Sequence, residues 1–362
     1  MATKNIWQSL AQDCGLFKRH MKKTFILLLT LAFLLSAVAY VFETTTFSQT
    51  WLNKVMNRTH YKVIKSTSAD RNQKDLLAPL PNQYIQPRGT IYHHVAHPSN
   101  YHFILDEPDK CKQDPFLVLM VPVAPHQLEA RNSIRSTWGT ESSVQGKAVL
   151  TLFMVGLTGG AEAQHQLEEE SRQHRDLLQS NFVDSYFNLT IKTMVIMDWL
   201  ATHCPQAAYA MKVDSDMYIN LENLMSLLLS PNTPRQNYIT GHLMRNEVVV
   251  RNKNSKWYVA VELYPEPTYP TYLLGMGYVF SNDLPKKLVQ ASKKVKPFNI
   301  EDAYVGACLK QLGVAPSSPP NPSQFKLFLG QDNQEDFLRV ITTILSSPQQ
   351  LIKIWKDLKG LT

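Results

Sequence analysis

Residues 207–221 read AAYAMKVDSDMYINL. The first seven form a short apolar run typical of a buried strand, and Asp214, Ser215 and Asp216 follow at once. Ionised carboxylates beside such apolar sequence are costly to bury unless a cation compensates their charge. The stretch therefore predicts a buried strand whose carboxyl end presents two acids that can share a divalent cation. A turn or helix-capping role for these acids is the alternative.

Apolar runs upstream predict two more buried strands, FLVLMVPV at 116–123 and VLTLFMVGL at 149–157. Helical patterns separate the three strands, namely HQLEARNSIRSTWG at 126–139, AEAQHQLEEESRQHRDLLQ at 161–179 and NLTIKTMVIMDWLATHC at 188–204. This alternation of strand and helix predicts an α/β fold with a mostly parallel sheet between helices. Ligands of such sheets bind beyond the carboxyl ends of the strands, where Asp214 and Asp216 are expected.

Two more acids open a predicted helix further along, Glu301 and Asp302 in the sequence NIEDAYVG at 299–306. On pattern alone a capping role is favoured, because carboxylates oppose the dipole at a helix N-terminus. The functional alternative is a general base at the mouth of the same cleft. Glu168 and Glu170 are interpreted, by contrast, as an ordinary acidic pair on a solvated helix.

Two other pairs have both a structural and a functional interpretation. Arg131 and Arg135 lie four residues apart on one helical face, where two guanidiniums suit a diphosphate, although a solvated surface explains them equally well. Gly275 and Gly277 precede YVFS and would let the backbone approach a ligand closely. A turn into a strand accounts for these glycines as readily.

The N-terminal part contains an apolar segment at 24–42, TFILLLTLAFLLSAVAYVF, whose 19 residues carry no charge. That length suits a transmembrane helix. Residues 1–23 hold five basic residues and one acid, so the N-terminus is predicted to be cytosolic and the rest lumenal. We expect a cytosolic tail at 1–23, a signal-anchor helix at 24–42, a stem at 43–97 and a globular domain at 98–362. A cleavable signal peptide is disfavoured, because the apolar run and the tail are both unusually long for one.

The charge distribution fits the same topology. The 362 residues carry a formal net charge of +7, of which +4 comes from residues 1–23. With 44% hydrophobic residues, the remainder is long enough to bury one sizeable core. A basic flank beside a membrane therefore explains the net charge better than a nucleic-acid-binding surface does.

Cysteines and sequons are consistent with a lumenal domain. The chain has four cysteines, Cys14 in the predicted tail and Cys111, Cys204 and Cys308 beyond the membrane. Three lumenal cysteines leave at least one without an intramolecular partner, and the sequence does not say which two pair. Asn57 and Asn188 each begin an Asn-X-Thr triplet and are candidate glycosylation sites.

Taken in order, these segments resemble the β-1,3-galactosyltransferase family, most closely the members that transfer galactose to N-acetylglucosamine. The matching stretches are EPDKC (107–111), EARNSIRSTWG (129–139), EEESRQ (168–173), NLTIKT (188–193), MKVDSDMYIN (211–220), NSKWY (254–258), GMGYVFS (275–281) and IEDAYVGACL (300–309). Eight ordered motifs over about residues 100–330 are far more specific than any one of them. The resemblance implies a GT-A type glycosyltransferase fold, a UDP-sugar donor and a Mn²⁺ ion.

The resemblance also implies roles for individual residues. Asp214 and Asp216 would hold the metal and the donor's diphosphate, with Ser215 between them in the same motif, and Asp302 would be the general base. Arg131 and Arg135 match the arginine-containing motif on the donor side. The candidates for contact with the donor or acceptor sugar are Trp257, Tyr258, Gly275, Gly277 and Glu301.

Two departures from the family pattern bear on these expectations. Leu273 stands where the family usually has a cysteine, and Ile344 stands at the position of a C-terminal histidine. Isoleucine cannot ligate a metal, so the aspartates and the diphosphate would have to bind it alone. We expect a Golgi enzyme, a single-pass type II membrane protein that transfers galactose from UDP-galactose to terminal N-acetylglucosamine of glycans with inversion. A β-1,3-N-acetylglucosaminyltransferase and a non-catalytic lumenal glycan-binding protein are the alternatives.

Overall fold

The computed structural model describes residues 97–329 and 334–360. The predicted tail, anchor helix and most of the stem lie outside these residues, as do Cys14 and Asn57. Within the described ranges, no helix combines the length and the apolar character needed to cross a bilayer.

The strands in the described part of the chain are β1 (Phe103–Leu105), β2 (Leu117–Pro122), β3 (Ser143–Val144), β4 (Lys147–Leu157), β5 (Leu177–Val183), β6 (Tyr209–Val213), β7 (Met217–Ile219), β8 (Ile239–Met244), β9 (Tyr272–Ser281) and β10 (Thr342–Ile344). The main sheet has the order β1-β5-β4-β2-β6-β9-β8, and β3 pairs with β4 beside it. Its four middle strands, β5, β4, β2 and β6, are parallel, whereas β1, β9 and β8 are antiparallel to their neighbours. The predicted parallel core of the sheet is therefore confirmed.

The α-helices in the same part of the chain are α1 (Leu128–Arg135), α2 (Ala161–His174), α3 (Leu189–His203), α4 (Leu221–Leu229), α5 (Leu284–Ser292), α6 (Glu301–Leu312), α7 (Gln334–Arg339) and α8 (Pro348–Lys359). The helix predicted at 161–179 was five residues too long. Arg175 adopts a left-handed backbone conformation, with φ 55°, which ends α2 and lets β5 begin at Leu177. The helices predicted around 126–139 and 188–204 are confirmed as α1 and α3.

Helices cover the sheet on both faces. Successive residues of β2 belong alternately to two apolar clusters, with Val118 and Met120 in one and Leu117, Leu119 and Val121 in the other. Helices α3, α5 and α6 supply the first cluster, and α1, α4 and α8 supply the second. A strand buried on both faces needs a continuous apolar run, which explains the sequence of β2.

One disulfide, between Cys111 and Cys204, joins the short helical turn Lys110–Gln113 to the end of α3. Cys308, in α6, is buried and carries no disulfide. The expectation that one of the three cysteines beyond the predicted anchor would be left over is confirmed.

A small two-stranded sheet completes the region around the aspartate motif. Strand β7 follows Asp216 directly and pairs antiparallel with β10, with Ile344 opposite Met217. The Leu345 amide donates to the Asp216 carbonyl at 2.8 Å. The C-terminal segment therefore holds the far side of the Asp214–Asp216 turn.

Candidate active site

The two aspartates lie where the sheet passes from β6 to β7. Strand β6 ends at Val213, Asp214 and Ser215 are half-buried, and Asp216 is exposed. The Asp214 amide donates to the Met276 carbonyl of β9 at 3.0 Å, which fixes the turn against the neighbouring strand. The predicted position at the carboxyl end of a buried parallel strand is confirmed.

A buried lysine beneath the turn connects the two acidic motifs. Lys212 is 2% exposed, and its ammonium donates to Asp214 Oδ1 at 2.7 Å and to the Gly275 carbonyl at 2.5 Å. A third, longer contact of 3.4 Å reaches Glu301 Oε2. A buried ammonium is stable only when paired, so Lys212 holds these groups around one point.

Asp302 reaches the same point from the first turn of α6. Its Oδ2 accepts the Gly275 amide at 2.9 Å, and its Oδ1 accepts the Ala303 amide at 2.8 Å. The N-cap of α6 is Ile300, which makes no side-chain capping bond, so neither Glu301 nor Asp302 is the cap residue. The N-cap position that the sequence pattern favoured is therefore not occupied by either acid, but both lie in the first turn of α6 and Asp302 accepts one of its amides.

Glu301 is held by partners inside the protein. It is buried, and its Oε1 accepts the Tyr278 hydroxyl at 2.6 Å while Oε2 faces Lys212. These contacts suit a residue that sets the charge around Asp302 rather than one that touches a sugar. Tyr278 is also buried, on β9.

Gly275 allows the carboxylates to come this close. A Cβ at this position would lie 3.1 Å from Glu301 Oε2 and 3.4 Å from Asp302 Oδ2. At Gly277 the added atom would instead meet Met211 Cε, at 3.2 Å, inside the sheet. Both glycines lie within β9 rather than in a turn before it. Gly275 therefore shapes the site, and Gly277 serves the packing of strands.

The surroundings raise the pKa of two carboxyl groups. Burial, and then the charge of Glu301, raise the pKa of Asp302 to about 7. Loss of hydration in the concave surface, and then the charge of Asp214, raise the pKa of Asp216 to about 6. The Asp216 side chain is nonetheless exposed to solvent. A carboxylate that titrates near neutral pH suits proton transfer, which makes Asp302 the candidate base.

Two exposed aromatic side chains lie on segments near the candidate acids. Tyr186 lies in the turn Tyr186–Asn188 before α3 and is 41% exposed, and Trp257 lies in the loop before Val259 and is 43% exposed. The Lys256 ammonium lies 5.3 Å from the centroid of the Tyr186 ring and 5.0 Å from that of Trp257. The charges of Asp302 and Asp214 contribute to raising the pKa of Tyr186, after burial, so its hydroxyl lies near both acids. Tyr258 is half-buried.

Arg131 and Arg135 have protein partners in this structure. Arg131 is 1% exposed; its guanidinium pairs with Glu170 at 2.6 Å and donates to the carbonyls of Ala124 and Pro125. Arg135 pairs with Glu170 and with Asp176, each at 2.7 Å. We therefore expect these arginines to hold the loop after β2 and the ends of α1 and α2, rather than to bind a diphosphate. The interpretation of Glu170 as a solvated residue was wrong, because this buried carboxylate joins both arginines.

Comparison with known proteins identifies the family of this chain. The galactosyltransferase family model matches residues 129–320. β-1,3-Galactosyltransferase 2 of Mus musculus is 42% identical over 283 residues, which cover 76% of this chain and 67% of that protein. β-1,3-Galactosyltransferase 1 of Mus musculus is 37% identical over 274 residues, covering 75% and 83% of the two chains. The chain belongs to the galactosyltransferase family.

Solved structures of glycosyltransferases resemble this galactosyltransferase-family chain only distantly. The galactosyltransferase LgtC in complex with donor and acceptor sugar analogues aligns with 67% of this chain and 96% of its own, at 10% identity and a TM-score of 0.35. So distant a likeness adds nothing to the family assignment, which stands on the family model and the relatives.

The candidate site offers a divalent cation carboxylate ligands from two side chains. In residues 97–329 and 334–360, no three His, Cys, Asp or Glu side chains are grouped so that they could hold a metal ion. Asp214 and Asp216 supply carboxylate oxygens, and a nucleotide diphosphate would supply more, which is the donor set that Mg²⁺ and Mn²⁺ prefer. Ile344, opposite Met217, places an alkyl group at the position where the family resemblance expects a histidine.

Asn188 is the candidate glycosylation site that lies within the described residues. Its side-chain amide donates to the Val183 carbonyl at 2.8 Å, and the Thr190 hydroxyl of the same triplet is buried against the Phe298 carbonyl. The folded chain therefore holds both side chains of the triplet in hydrogen bonds to backbone carbonyls.

Sequence reasoning missed Lys212, Tyr186 and Lys256. A signal existed for Lys212, because a lone lysine inside the apolar run AAYAMKV has to find a carboxylate partner when the strand is buried. Lys256 lies in the family-like stretch NSKWY (254–258) but was given no role. No pattern marks Tyr186, which is 70 residues away and meets Lys256 only in the folded protein.

Proposed function

We propose that this chain is an inverting β-1,3-galactosyltransferase with a GT-A type fold, which transfers galactose from UDP-galactose to a terminal N-acetylglucosamine of a glycan. The observation that carries the proposal is the connection of Asp302 to Asp214 through Gly275 and Lys212. These hydrogen bonds bring a candidate base and a candidate diphosphate site together. Family membership and the names of the relatives support the sugar and the linkage.

In the proposed reaction Asp302 accepts the proton of the acceptor's 3-hydroxyl. The hydroxyl oxygen forms a bond to C1 of galactose from the face opposite the nucleotide, while the bond from C1 to the phosphate oxygen breaks. UDP leaves with the electron pair of that bond, and the α-linked donor becomes a β-linked product. The pKa of Asp302, about 7, makes it a competent base near neutral pH.

The remaining residues keep this geometry and charge in place. Lys212 fixes Asp214 and the Gly275 carbonyl, and the Gly275 amide orients the Asp302 carboxylate. Glu301 keeps the pKa of Asp302 high by repulsion. A Mn²⁺ or Mg²⁺ ion held by Asp214, Asp216 and the diphosphate would neutralise the charge that develops on UDP.

Transfer assays test this proposal directly. Full-length protein in detergent would be incubated with Mn²⁺ and with UDP-galactose or UDP-N-acetylglucosamine, and with acceptors ending in β-linked N-acetylglucosamine or galactose. We expect galactose on the 3-position of N-acetylglucosamine, with β-configuration shown by NMR of the product. Transfer of N-acetylglucosamine to galactose instead would contradict the donor assignment. Binding of UDP or glycan without turnover of any donor would indicate a non-catalytic glycan-binding protein.

We also propose that the protein is a single-pass type II membrane protein of the Golgi, with the described domain in the lumen. The uncharged segment at 24–42 and the basic tail before it support this orientation. In sealed microsomes, an N-terminal tag should be digested by added protease while a C-terminal tag is protected. A soluble product that has lost its first 39 residues would show a cleaved signal peptide instead.

A further inference from the structure

A buried ion pair that the proposed reaction does not use lies at the carboxyl edge of the parallel strands. Lys192, in the first turn of α3, is 2% exposed. Its ammonium donates to the two carboxylate oxygens of Asp184, at 3.0 and 2.8 Å, and to the Val123 carbonyl at 2.9 Å. A lysine is almost never buried to this extent unless it is paired, so the contacts of Lys192 are a condition of its position.

The pair joins the ends of three neighbouring strands. Val123 directly follows β2, and Asp184 directly follows β5. Asp184 Oδ2 also accepts the amide of Gly156, the last residue but one of β4, at 2.7 Å. One ion pair therefore fixes the carboxyl ends of β2, β4 and β5 relative to one another.

A second buried cation holds the turn that follows β2. The Arg131 guanidinium donates to the Ala124 carbonyl at 3.1 Å and to the Pro125 carbonyl at 3.0 Å. Since Lys192 holds the carbonyl of Val123, three consecutive carbonyls accept from buried cations. The backbone of the turn 123–125 is therefore set by the protein before any ligand arrives.

The order of the strands places this turn beside the candidate diphosphate site. Strand β2 lies on one side of β6, whose end is followed by Asp214. Strand β9 lies on the other side and carries Gly275, whose amide donates to Asp302. The sugar of a donor whose diphosphate is bound at Asp214 would point towards Asp302. Its nucleoside would then extend the opposite way, over the end of β2, since ligands of such sheets bind beyond the carboxyl ends of the strands.

We propose that Lys192 is a positioning residue for donor binding, which together with Asp184 presets the turn 123–125 as a surface against which the donor's nucleoside lies. This inference rests on the proposed transferase function, which supplies the ligand. Lys192 acts through the backbone of the turn, because its own ammonium is buried and already bonded to three oxygens. Its loss should weaken donor binding and leave the chemical step intact.

Calorimetry and steady-state kinetics of the full-length protein in detergent test this role. Lys192→Met keeps a long side chain and removes the ammonium. We expect the Kd of UDP with Mn²⁺ present, and the KM of UDP-galactose, to rise about 10-fold, the affinity lost when about one residue of backbone must be ordered on binding. At saturating donor, kcat should stay within about threefold of wild type, because Asp302 and its partners are unchanged.

A double variant separates positioning from stability. Lys192→Met leaves the buried Asp184 carboxylate without its cation, so the melting temperature should fall. Lys192→Met/Asp184→Asn removes both charges, and the asparagine oxygen can still accept the Gly156 amide, so stability should largely return. The Val123 carbonyl still lacks its donor, so the UDP Kd should stay raised. Leu288→Ala, at a fully buried position of α5, is the matched control, which should lower the melting temperature and leave the UDP Kd unchanged.

The outcomes separate this role from the function on which it rests. A UDP Kd that returns to the wild-type value with the melting temperature in the double variant would show that Lys192 contributes stability alone. That result would overturn the proposal, as would an unchanged UDP Kd in both Lys192 variants or an equal rise in Leu288→Ala. If Lys192→Met does not fold, the double variant and the control decide in the same way. Wild-type protein that neither binds UDP nor transfers galactose would overturn the function and the inference with it, whereas normal transfer by wild type with a negative result for Lys192 means that the inference alone has failed.

Discussion

Replacement of Asp302 by asparagine gives the sharpest test of the candidate base. Both oxygens of the carboxylate accept backbone amides, from Gly275 at 2.9 Å and from Ala303 at 2.8 Å. Asparagine has one acceptor oxygen, so one of these amides would face an NH₂ group. We expect the free energy of unfolding to fall by about 1–3 kcal/mol for the lost partner. We expect kcat to fall about 10²–10⁴-fold, or about 3–5.5 kcal/mol in the barrier, for the lost base.

The pH dependence of kcat distinguishes a lost base from a distorted site. Because burial and Glu301 raise the pKa of Asp302 to about 7, wild-type kcat should fall about tenfold per pH unit below that value. In Asp302→Asn this acidic limb of the pH profile, the fall in kcat below pH 7, should disappear. The UDP affinity measured by calorimetry should stay within about twofold of wild type. The variant Glu301→Gln removes the neighbouring charge and so lowers the pKa of Asp302, which should move the limb to lower pH. Turnover of Asp302→Asn within about fivefold of wild type, with the limb still near pH 7, would refute the assignment and make Glu301 the next candidate.

Four further substitutions test the rest of the cleft. Asp216→Asn should reduce kcat at least about 100-fold with little change in thermal melting, on the scale of a lost electrostatic contact to the leaving group; near-normal turnover in excess chelator would contradict a metal role. Asp214→Asn should cost as much activity and also lower the melting temperature, because the buried Lys212 loses its 2.7 Å partner. Gly275→Ala should displace the carboxylates that its Cβ would meet at 3.1 and 3.4 Å, lowering kcat more than it lowers UDP affinity; equal activity would show that the site tolerates the shift. Ile344→His should tighten Mn²⁺ binding in a calorimetric titration with UDP present, since Ile344 lies opposite Met217, and unchanged affinity would place the residue outside the metal shell.

The sequence was most informative where burial on both faces of the sheet required a continuous apolar run. Strands β2, β4 and β6 were predictable for this reason. Helix α3 was predictable because most of its residues are apolar and buried. Strand β5 was missed because two of its central residues are polar and fully buried, Gln179 and Ser180. Gln179 donates to the Gly156 carbonyl and exchanges hydrogen bonds with Gln164, and Ser180 donates to the His102 carbonyl. Contacts of this kind come from tertiary structure, and an apolar pattern does not record them.

The candidate site was predictable in its acids and not in its basic groups. Asp214 and Asp216 follow a recognisable strand, and family resemblance pointed to Asp302. The partners of a basic side chain cannot be predicted in the same way, because the charged ends of arginine and lysine lie several ångströms from their backbone. Arg131 and Arg135 were expected at a diphosphate and instead pair with Glu170. Lys212 was not expected in the site at all, yet it joins the two acidic motifs.

The charge balance of the candidate site predicts metal dependence independently of the family resemblance. Four carboxylates, from Asp214, Asp216, Glu301 and Asp302, meet one buried ammonium from Lys212 and one exposed ammonium from Lys256. A diphosphate brings at least two more negative charges into this surface, and repulsion at short range in a partly dry cleft costs several kcal/mol. Lys212 cannot offset that cost, because Asp214 and Glu301 already use its charge. We therefore expect UDP to bind weakly without a divalent cation and to bind more tightly at pH 5.5 than at pH 8 in chelator, since protonation of Asp216, whose pKa is about 6, and of Asp302 removes part of the repulsion. UDP affinity that changes with neither added Mn²⁺ nor pH would show that the diphosphate binds away from these carboxylates.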